Sequence, residues 1–561
     1  LEQFGPGLRS VIDDLAAVLP LTQFLATSRT DPRIEGSRVV RLEPLALPSL
    51  IGDPLDCPSV ALYVERARAV APGFVLDDPL VLGELAKRLE GLPLAICLAA
   101  AQADVLSPAE TLRQLDDRFA LLQTETLPWP DRHRRLWACL DWSHRLVPES
   151  HWLLARLTPF RGGWTVETVT PLCPDEPVPS RLQGLLRTCL IAESSRAGQV
   201  RFDMAESVRE FIEAQMSPEE REQASAGHAT AMLAWLQHPS RTQQTFNAGY
   251  LRDRTLEYEN LRAAFDWCLE FDPSGALQVV NALAYYWLSR EMAREGLEWI
   301  DRALARPEGL EPVSVAMAHR ARSTMLIGLS RFHEAVDALE QALKILPDST
   351  DPLTQARTLN SLGNALMRVE RFDEALASFE RAQGLCEVSG AAAIGLSMQG
   401  NAGLCLYLAG RLVEARKTTE SVVDALRDGD NHDWLSYFLH NLGLIARAEG
   451  DDLEALQCFA EARDVAESVG NDPAGRGWLA DAAVSAVRTG DLDRARAWIH
   501  QGARAVRLTK GSEQYAECVE AAAVFFESEG ELDEAAALVA ALVESGRSPE
   551  RSQAHRSPRP A

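Results

Sequence analysis

The 561 residues predict a mostly α chain: a partial α/β domain first, smaller helical modules behind it, and a long α-solenoid over the second half. Three observations predict it. Small residues and alanines recur at a 40-residue pitch through the second half. Before residue 123, short apolar runs alternate with amphipathic ones. Hydrophobic residues make up 46% of the chain, enough to bury the several cores that a chain of this length holds.

The chain opens on Leu1-Glu2-Gln3-Phe4-Gly5-Pro6, which reads as the end of a buried strand met in mid-pattern. An amphipathic helix over 8–19 follows, and "LTQFLATSR" and "SRVVRLEPL" are expected to be short strands of a parallel sheet. A chain starting this way, without Met, is expected to be a fragment. "SVALYVERARAV" predicts a helix with Ala61, Leu62, Val64, Ala67 and Val70 on or near one side. "VLGELAKRLEGLPLAICLAAAQA" predicts two helices broken at Gly91-Leu92-Pro93, because a proline in a first turn forfeits no hydrogen bond.

Residues 126–216 predict three helices, "LVPESHWLLARLTPF", "TVETVTPL" and "PSRLQGLLRTCL", then a two-stranded hairpin in "LIAESSRAGQVRFDM". Trp137, Trp142 and Trp164 are expected to anchor that core, whereas His133, His144 and His151 lack ligand spacing and read as surface or capping residues. A helical linker over 217–260 precedes the solenoid of 261–545, and the Pro-, Ser- and Arg-rich residues 546–561 are expected to be a disordered tail.

The repeat is the strongest signal. "SLGNALMRVERFDEALASFERA" places Gly363 on one helix and Ala375, Phe379 and Ala382 on the next. One pitch on stand Gly403 and Ala415, and another on stand Gly443, Ala455, Phe459 and Ala462. The register continues to Ala483 and Ala495, and backwards to Ser323, Ala335, Leu339 and Ala342. A small residue on the first helix lets the second approach closely, and stacked pairs bury a continuous core. The pattern resembles the tetratricopeptide repeat, with a unit of 40 residues instead of the usual ~34.

Charge and cysteines exclude several classes. A net charge of −25 argues against general binding of nucleic acid. Ten cysteines without a CxxC pair read as reduced core thiols of a cytoplasmic protein and suggest no metal site. No apolar stretch is long enough to span a membrane.

"LATSR", "RLEPLALP", "ALYVERARAVAPGF", "AKRLEGLPLAICLAAAQADVLSP", "LDDRFALL" and "LDWSHRLV" follow one another in the order seen in a known family. "RFDMAESVREFIEAQ" and "LEYENLRAAFDWCLE" extend the likeness. The chain resembles the signal-transduction ATPases of the STAND, NB-ARC-like class, in their MalT-like and LuxR-like branch of transcriptional regulators with tetratricopeptide arms. The resemblance implies that residues 1–54 are the end of a P-loop-type nucleotide-binding domain, 55–125 its helical lid and 126–216 a winged helix. It implies ATP or ADP with Mg as cofactor in a longer protein. The GxxxxGK(S/T) phosphate loop is absent here, so no tight nucleotide binding is expected of these 561 residues alone. By the same resemblance Glu2 falls at the Walker B position, as a catalytic and Mg-holding carboxylate, with Gly5 where a second carboxylate is often found. Arg29 falls at the sensor arginine, and Gly91 and Pro93 match the GLPL motif that lies against the adenine. Each also has a structural reading, as a strand end or a helix start. Ala205 stands where many relatives carry a histidine, so that phosphate contact does not carry over. Arg181 and Arg187 would be the DNA-facing residues of a winged helix, but the acidic surroundings assign DNA contact to a module outside this chain.

In the solenoid, Asn360, Asn364, Asn401, Tyr407, Tyr437 and Asn441 are the exposed candidates on first helices for an inducer or partner protein. Asn360 and Asn401 could equally cap or pack within their own repeats. Two functions remain open. One is a nucleotide-gated regulator of transcription that self-associates when active. The other is a tetratricopeptide adaptor whose ATPase-like half is structural and does not cycle.

Overall fold

The computed structural model describes residues 40, 42–48, 53–71, 74, 78–115, 121–122, 136–173, 177–238, 248–307, 309–347, 349–427, 429, 431–468, 478–506, 513–531, 533–535 and 537–538. The fold is mostly α. Among the described residues one two-stranded sheet is the only sheet. The chain divides into two compact units, Leu1–Val279 and Val280–Ala561.

In the first unit, helices α1 (Pro58–Val70), α2 (Pro79–Arg88), α3 (Pro93–Ala100) and α4 (Pro108–Gln114) each start on a proline. Asp78 accepts the Leu80 N–H at 2.8 Å, and Ser107 and Glu110 form a reciprocal capping box. Val60, Tyr63, Leu82, Leu85, Ile96 and Ala99 share one core. The buried stripe of α1 is Val60, Tyr63 and Ala67, whereas Ala61 is exposed and Leu62 and Val64 are half-buried. Positions 60, 63 and 67 fall on one side of a 3.6-residue period, 64 falls at its edge and 61 away from it. The strand expected in "SRVVRLEPL" is absent over Val40 and 42–45, where Val40 and Leu42 are exposed. With no strand beside it among the described residues, the Leu45 N–H donates instead to the Gly91 carbonyl at 2.9 Å. "LTQFLATSR" and the helix over 8–19 lie outside the described residues.

Next come α5 (Leu136–His144), α6 (His151–Leu157), α7 (Val166–Val169), α8 (Val178–Arg187), strands β1 (Ala192–Arg196) and β2 (Gln199–Asp203), and α9 (Glu206–Glu213). The antiparallel hairpin turns through Ala197 and Gly198 at φ 52° and 78°, the pair of left-handed residues that a tight twisted hairpin needs. Trp164 is fully buried and bridges Phe202, as an anchor should. Trp137 and Trp142 are not core residues. Both are partly exposed, and Trp137 meets Phe211 edge-on at 4.7 Å. His144 and His151 are half-buried and pair with each other, Nε2 to Nδ1 at 3.0 Å, whereas His133 lies outside the described residues.

Helices α10 (Pro218–Gln237) and α11 (Ala248–Phe271) complete this unit. Arg201 of β2 is buried against Glu257 of α11, Nη1 to Oε1 at 2.5 Å, and its Nη2 donates to the Gly162 and Gly163 carbonyls. Asn260 closes the network, donating to Gly163 and accepting the Arg161 and Gly162 amides. The buried Arg201 guanidinium therefore has the Glu257 carboxylate as its counter-charge.

In the second unit the chain runs as helix pairs. After α12 (Pro273–Ser289), which crosses the boundary between the units, come α13 (Ala293–Ala303), α14 (Pro312–Gly328), α15 (Phe332–Ile345), α16 (Pro352–Arg368) and α17 (Phe372–Val388). They are followed by α18 (Ala392–Leu408), α19 (Leu412–Arg427), α20 (His432–Glu449), α21 (Asp452–Ser468), α22 (Trp478–Arg488), α23 (Leu492–Val506) and α24 (Glu513–Glu529). The register read from the sequence is the packing register. Ala335, Ala375, Ala415, Ala455 and Ala495 are all fully buried. Opposite them Gly363 faces Phe379, Gly403 faces Thr419 and Gly443 faces Phe459, each too close to admit a Cβ. First helices also end alike. Ser330, Glu370, Gly410, Gly450, Gly490 and Gly530 all have positive φ, and each following N–H bonds back to a carbonyl of the last turn, as Arg371 does to Leu366 at 3.0 Å.

Candidate functional site

Positions 401, 441 and 481 occupy one register position on the successive first helices α18, α20 and α22, and Asn360 on α16 stands one residue before the equivalent position there. The side-chain amide of Asn401 donates from Nδ2 to Oδ1 of Asn360 at 2.9 Å, joining neighbouring repeats. Both residues are half-buried, as are Asn364 and Tyr437. Asn441 is buried, and its Nδ2 finds no partner among the described residues.

At the next position Asp481 takes two cationic or polar neighbours. His440 Nε2 lies 3.0 Å from its Oδ2, and Arg447 Nη2 donates to its Oδ1 at 2.9 Å. An ionised carboxylate only accepts, so Nε2 carries the proton in this pair. The His440 ring stacks on Trp478, with centroids 5.2 Å apart and planes 15° apart. On the second helix α19, Arg416 gathers Glu420, Glu449 and Glu454. The hydrogen bonds to Glu454 and Glu449 push its pKa further up, so this guanidinium is permanently charged and already neutralised.

The structure thus joins Asn360 to Asn401, sets Asn441 at the position equivalent to Asn401 one repeat on, and corrects the exposure expected of two candidates. Tyr407 is buried in a core with Leu406, Leu444 and Ile445, because it is the counterpart of the buried Met367 one pitch earlier. Asn441 is buried at 3% exposure, with α20 packed on both neighbouring pairs. His440, Arg447, Trp478 and Asp481 were missed. Asp481 was findable, since it stands one pitch after Asn441; Arg447 reaches it across 34 residues and belongs to no motif.

In the first unit, Gly91 is buried at φ 65°, and a Cβ there would lie 2.3 Å from the Leu45 carbonyl oxygen, so packing alone demands glycine. Pro93 is exposed at the start of α3. Glu2 and Arg29 lie outside the described residues. Among the described residues no group of three or more His, Cys, Asp or Glu could hold a metal ion, and no helix is long and apolar enough to cross a membrane.

Tetratricopeptide-repeat family models match residues 355–383 and 395–468. Over these residues the solenoid is built from tetratricopeptide repeats. The chain is similar in fold to a STAND (Signal Transduction ATPase with Numerous Domains) protein with a tetratricopeptide repeat sensor from Pyrococcus horikoshii, with a TM-score of 0.51 at 15% identity over 88% of this chain and 66% of that one. In sequence it is 28% identical over 378 residues to a Mycobacterium tuberculosis protein named as a candidate HTH-type transcriptional regulator, covering 63% of this chain and 41% of that protein. It is 32% identical over 251 residues to an uncharacterised protein of the same species, covering 43% of this chain and 60% of the relative. The chain therefore spans less than two thirds of the length of these curated relatives.

Proposed function

We propose that this chain is the sensor-bearing part of a nucleotide-gated regulator of transcription, and that its tetratricopeptide arm receives an inducer or partner protein. The observation that carries the reading is the row of amides on successive first helices, Asn360 bonded to Asn401 and Asn441 with a buried unpartnered N–H. An amide presents a donor and an acceptor side by side, so a row of them matches the alternating polar groups of an extended polypeptide. A buried amide left without a partner costs free energy that a ligand would recover. The fold shared with the STAND protein and the likeness to the mycobacterial protein support the regulatory setting.

Nucleotide gating rests on the family resemblance. The described residues include Gly91 and Pro93 but no phosphate cradle, and Gly91 is accounted for by the Leu45 carbonyl. ATP or ADP with Mg would engage Glu2 and Arg29 in the longer protein, with the winged-helix-like hairpin module acting as an internal switch, DNA reached through another module, and self-association in the active state, in the cytoplasm.

Transcript profiling of a deletion strain in the native host tests the reading. A regulator predicts a defined set of transcripts that change on deletion and return on complementation. An unchanged profile across growth conditions would favour the adaptor.

A further inference from the structure

Helix α9 begins without a cap of its own. Its N-cap residue is Ala205, which has no side-chain acceptor, and the carboxylate of Glu206 is engaged elsewhere, by Arg161 and by Arg209 at 3.0 Å each. A first turn nevertheless needs acceptors for its amides. Glu90 supplies them from 116 residues away: one carboxylate oxygen accepts the Glu206 N–H, and the other accepts the Ser207 N–H at 3.3 Å.

The turn between α2 and α3 is shaped to make this reach. Glu90 itself has φ 57°, a left-handed conformation that a β-carbon disfavours, and Gly91 follows at φ 65°. The Gly91 N–H closes the end of α2 onto the Ala86 carbonyl, and its own carbonyl is held by Leu45. On its other side α9 is held by Arg209, which donates to the Thr158 and Phe160 carbonyls. The carboxylate therefore spans two modules of the first unit, the α1–α4 core and the hairpin module.

We propose that Glu90 is an intramolecular latch: its carboxylate caps α9 and thereby clasps the α2–α3 turn to the hairpin module. An ionised acceptor on two first-turn amides is favoured both by charge-assisted hydrogen bonding and by the helix dipole. Release leaves α9 uncapped, so the closed arrangement is held by the very group whose departure opens it. This goes beyond the sensing role assigned to the solenoid and does not depend on it.

Hydrogen exchange by mass spectrometry on the whole chain tests the latch. Glu90→Ala should speed exchange about tenfold both in 206–209 and in 86–92, the first by loss of the cap and the second by undocking. Adding Ala205→Ser should restore protection in 206–209 through a local cap, while 86–92 stays fast. Unchanged exchange in Glu90→Ala, or recovery of both segments with Ala205→Ser, would overturn the proposal. Should Glu90→Ala fail to fold, Glu90→Gln keeps the shape and one neutral acceptor; intermediate exchange in both segments supports the latch, and wild-type exchange there overturns it.

Discussion

Gly363 stands where the ring of Phe379 lies: a Cβ on the glycine would come within 2.5 Å of the ring. The same relationship recurs one double pitch later between Gly443 and Phe459, at 2.6 Å. Helix pairs α16–α17 and α20–α21 thus trade a missing side chain on one helix for a phenyl ring on the other. Gly363→Ala should overpack the contact and cost about 1–3 kcal/mol in chemical denaturation, despite alanine's higher helix propensity. Pairing it with Phe379→Leu should recover part of the loss. Stabilisation by Gly363→Ala alone would contradict the packing.

Arg201 and Glu257 tie the hairpin to α11 in a site with almost no exposure. Glu257→Gln should cost about 3–5 kcal/mol, because it leaves a guanidinium buried without its counter-charge. Replacing both members, as Arg201→Met with Glu257→Leu, should recover much of that loss. Equal damage from the single and the double variants would assign the stability to the Gly162 and Gly163 carbonyl contacts instead.

His228 should make the first unit acid-sensitive. It is fully buried with its ring edge-on to Phe160 at 4.5 Å, and burial pushes its pKa down to about 3. The folded chain keeps the imidazole neutral, whereas the unfolded chain protonates it near 6.5. Between those values the unfolded state binds the additional proton, so stability falls as pH drops from about 6.5 towards 3. Between pH 7 and pH 5 this group alone should remove about 2 kcal/mol. His228→Gln should lower stability at pH 7 but flatten that part of the melting-temperature profile. An unchanged slope would place the titration elsewhere.

The solenoid was legible because its chemistry repeats. Gly403, Ala415 and their counterparts announce helix contacts through spacing alone, and the structure seats each of them at one. The strand expected in "SRVVRLEPL" is absent over 40 and 42–45 for the opposite reason, since a strand depends on neighbours that its own residues do not specify. Tyr407 misled because its helix, Ala392–Leu408, is apolar nearly all round, so the sequence does not say which face is buried, and only the equivalence with Met367 decides it. The Glu90 clasp was beyond reach. Nothing local distinguishes its carboxylate from that of Glu84 on the same helix run, and the partner is an alanine-capped helix more than a hundred residues on.

The first-helix face that carries Asn401 and Tyr437 is the sensing face we propose. Its most direct test is transcript profiling of the native host carrying Asn401→Ala with Tyr437→Ala in the full-length gene, compared with the wild type and the deletion. Both side chains are half-buried, so the folded protein should persist at normal abundance and with a normal circular dichroism spectrum. This double variant should reproduce the deletion profile. A wild-type profile from a normally abundant, folded double variant would contradict it.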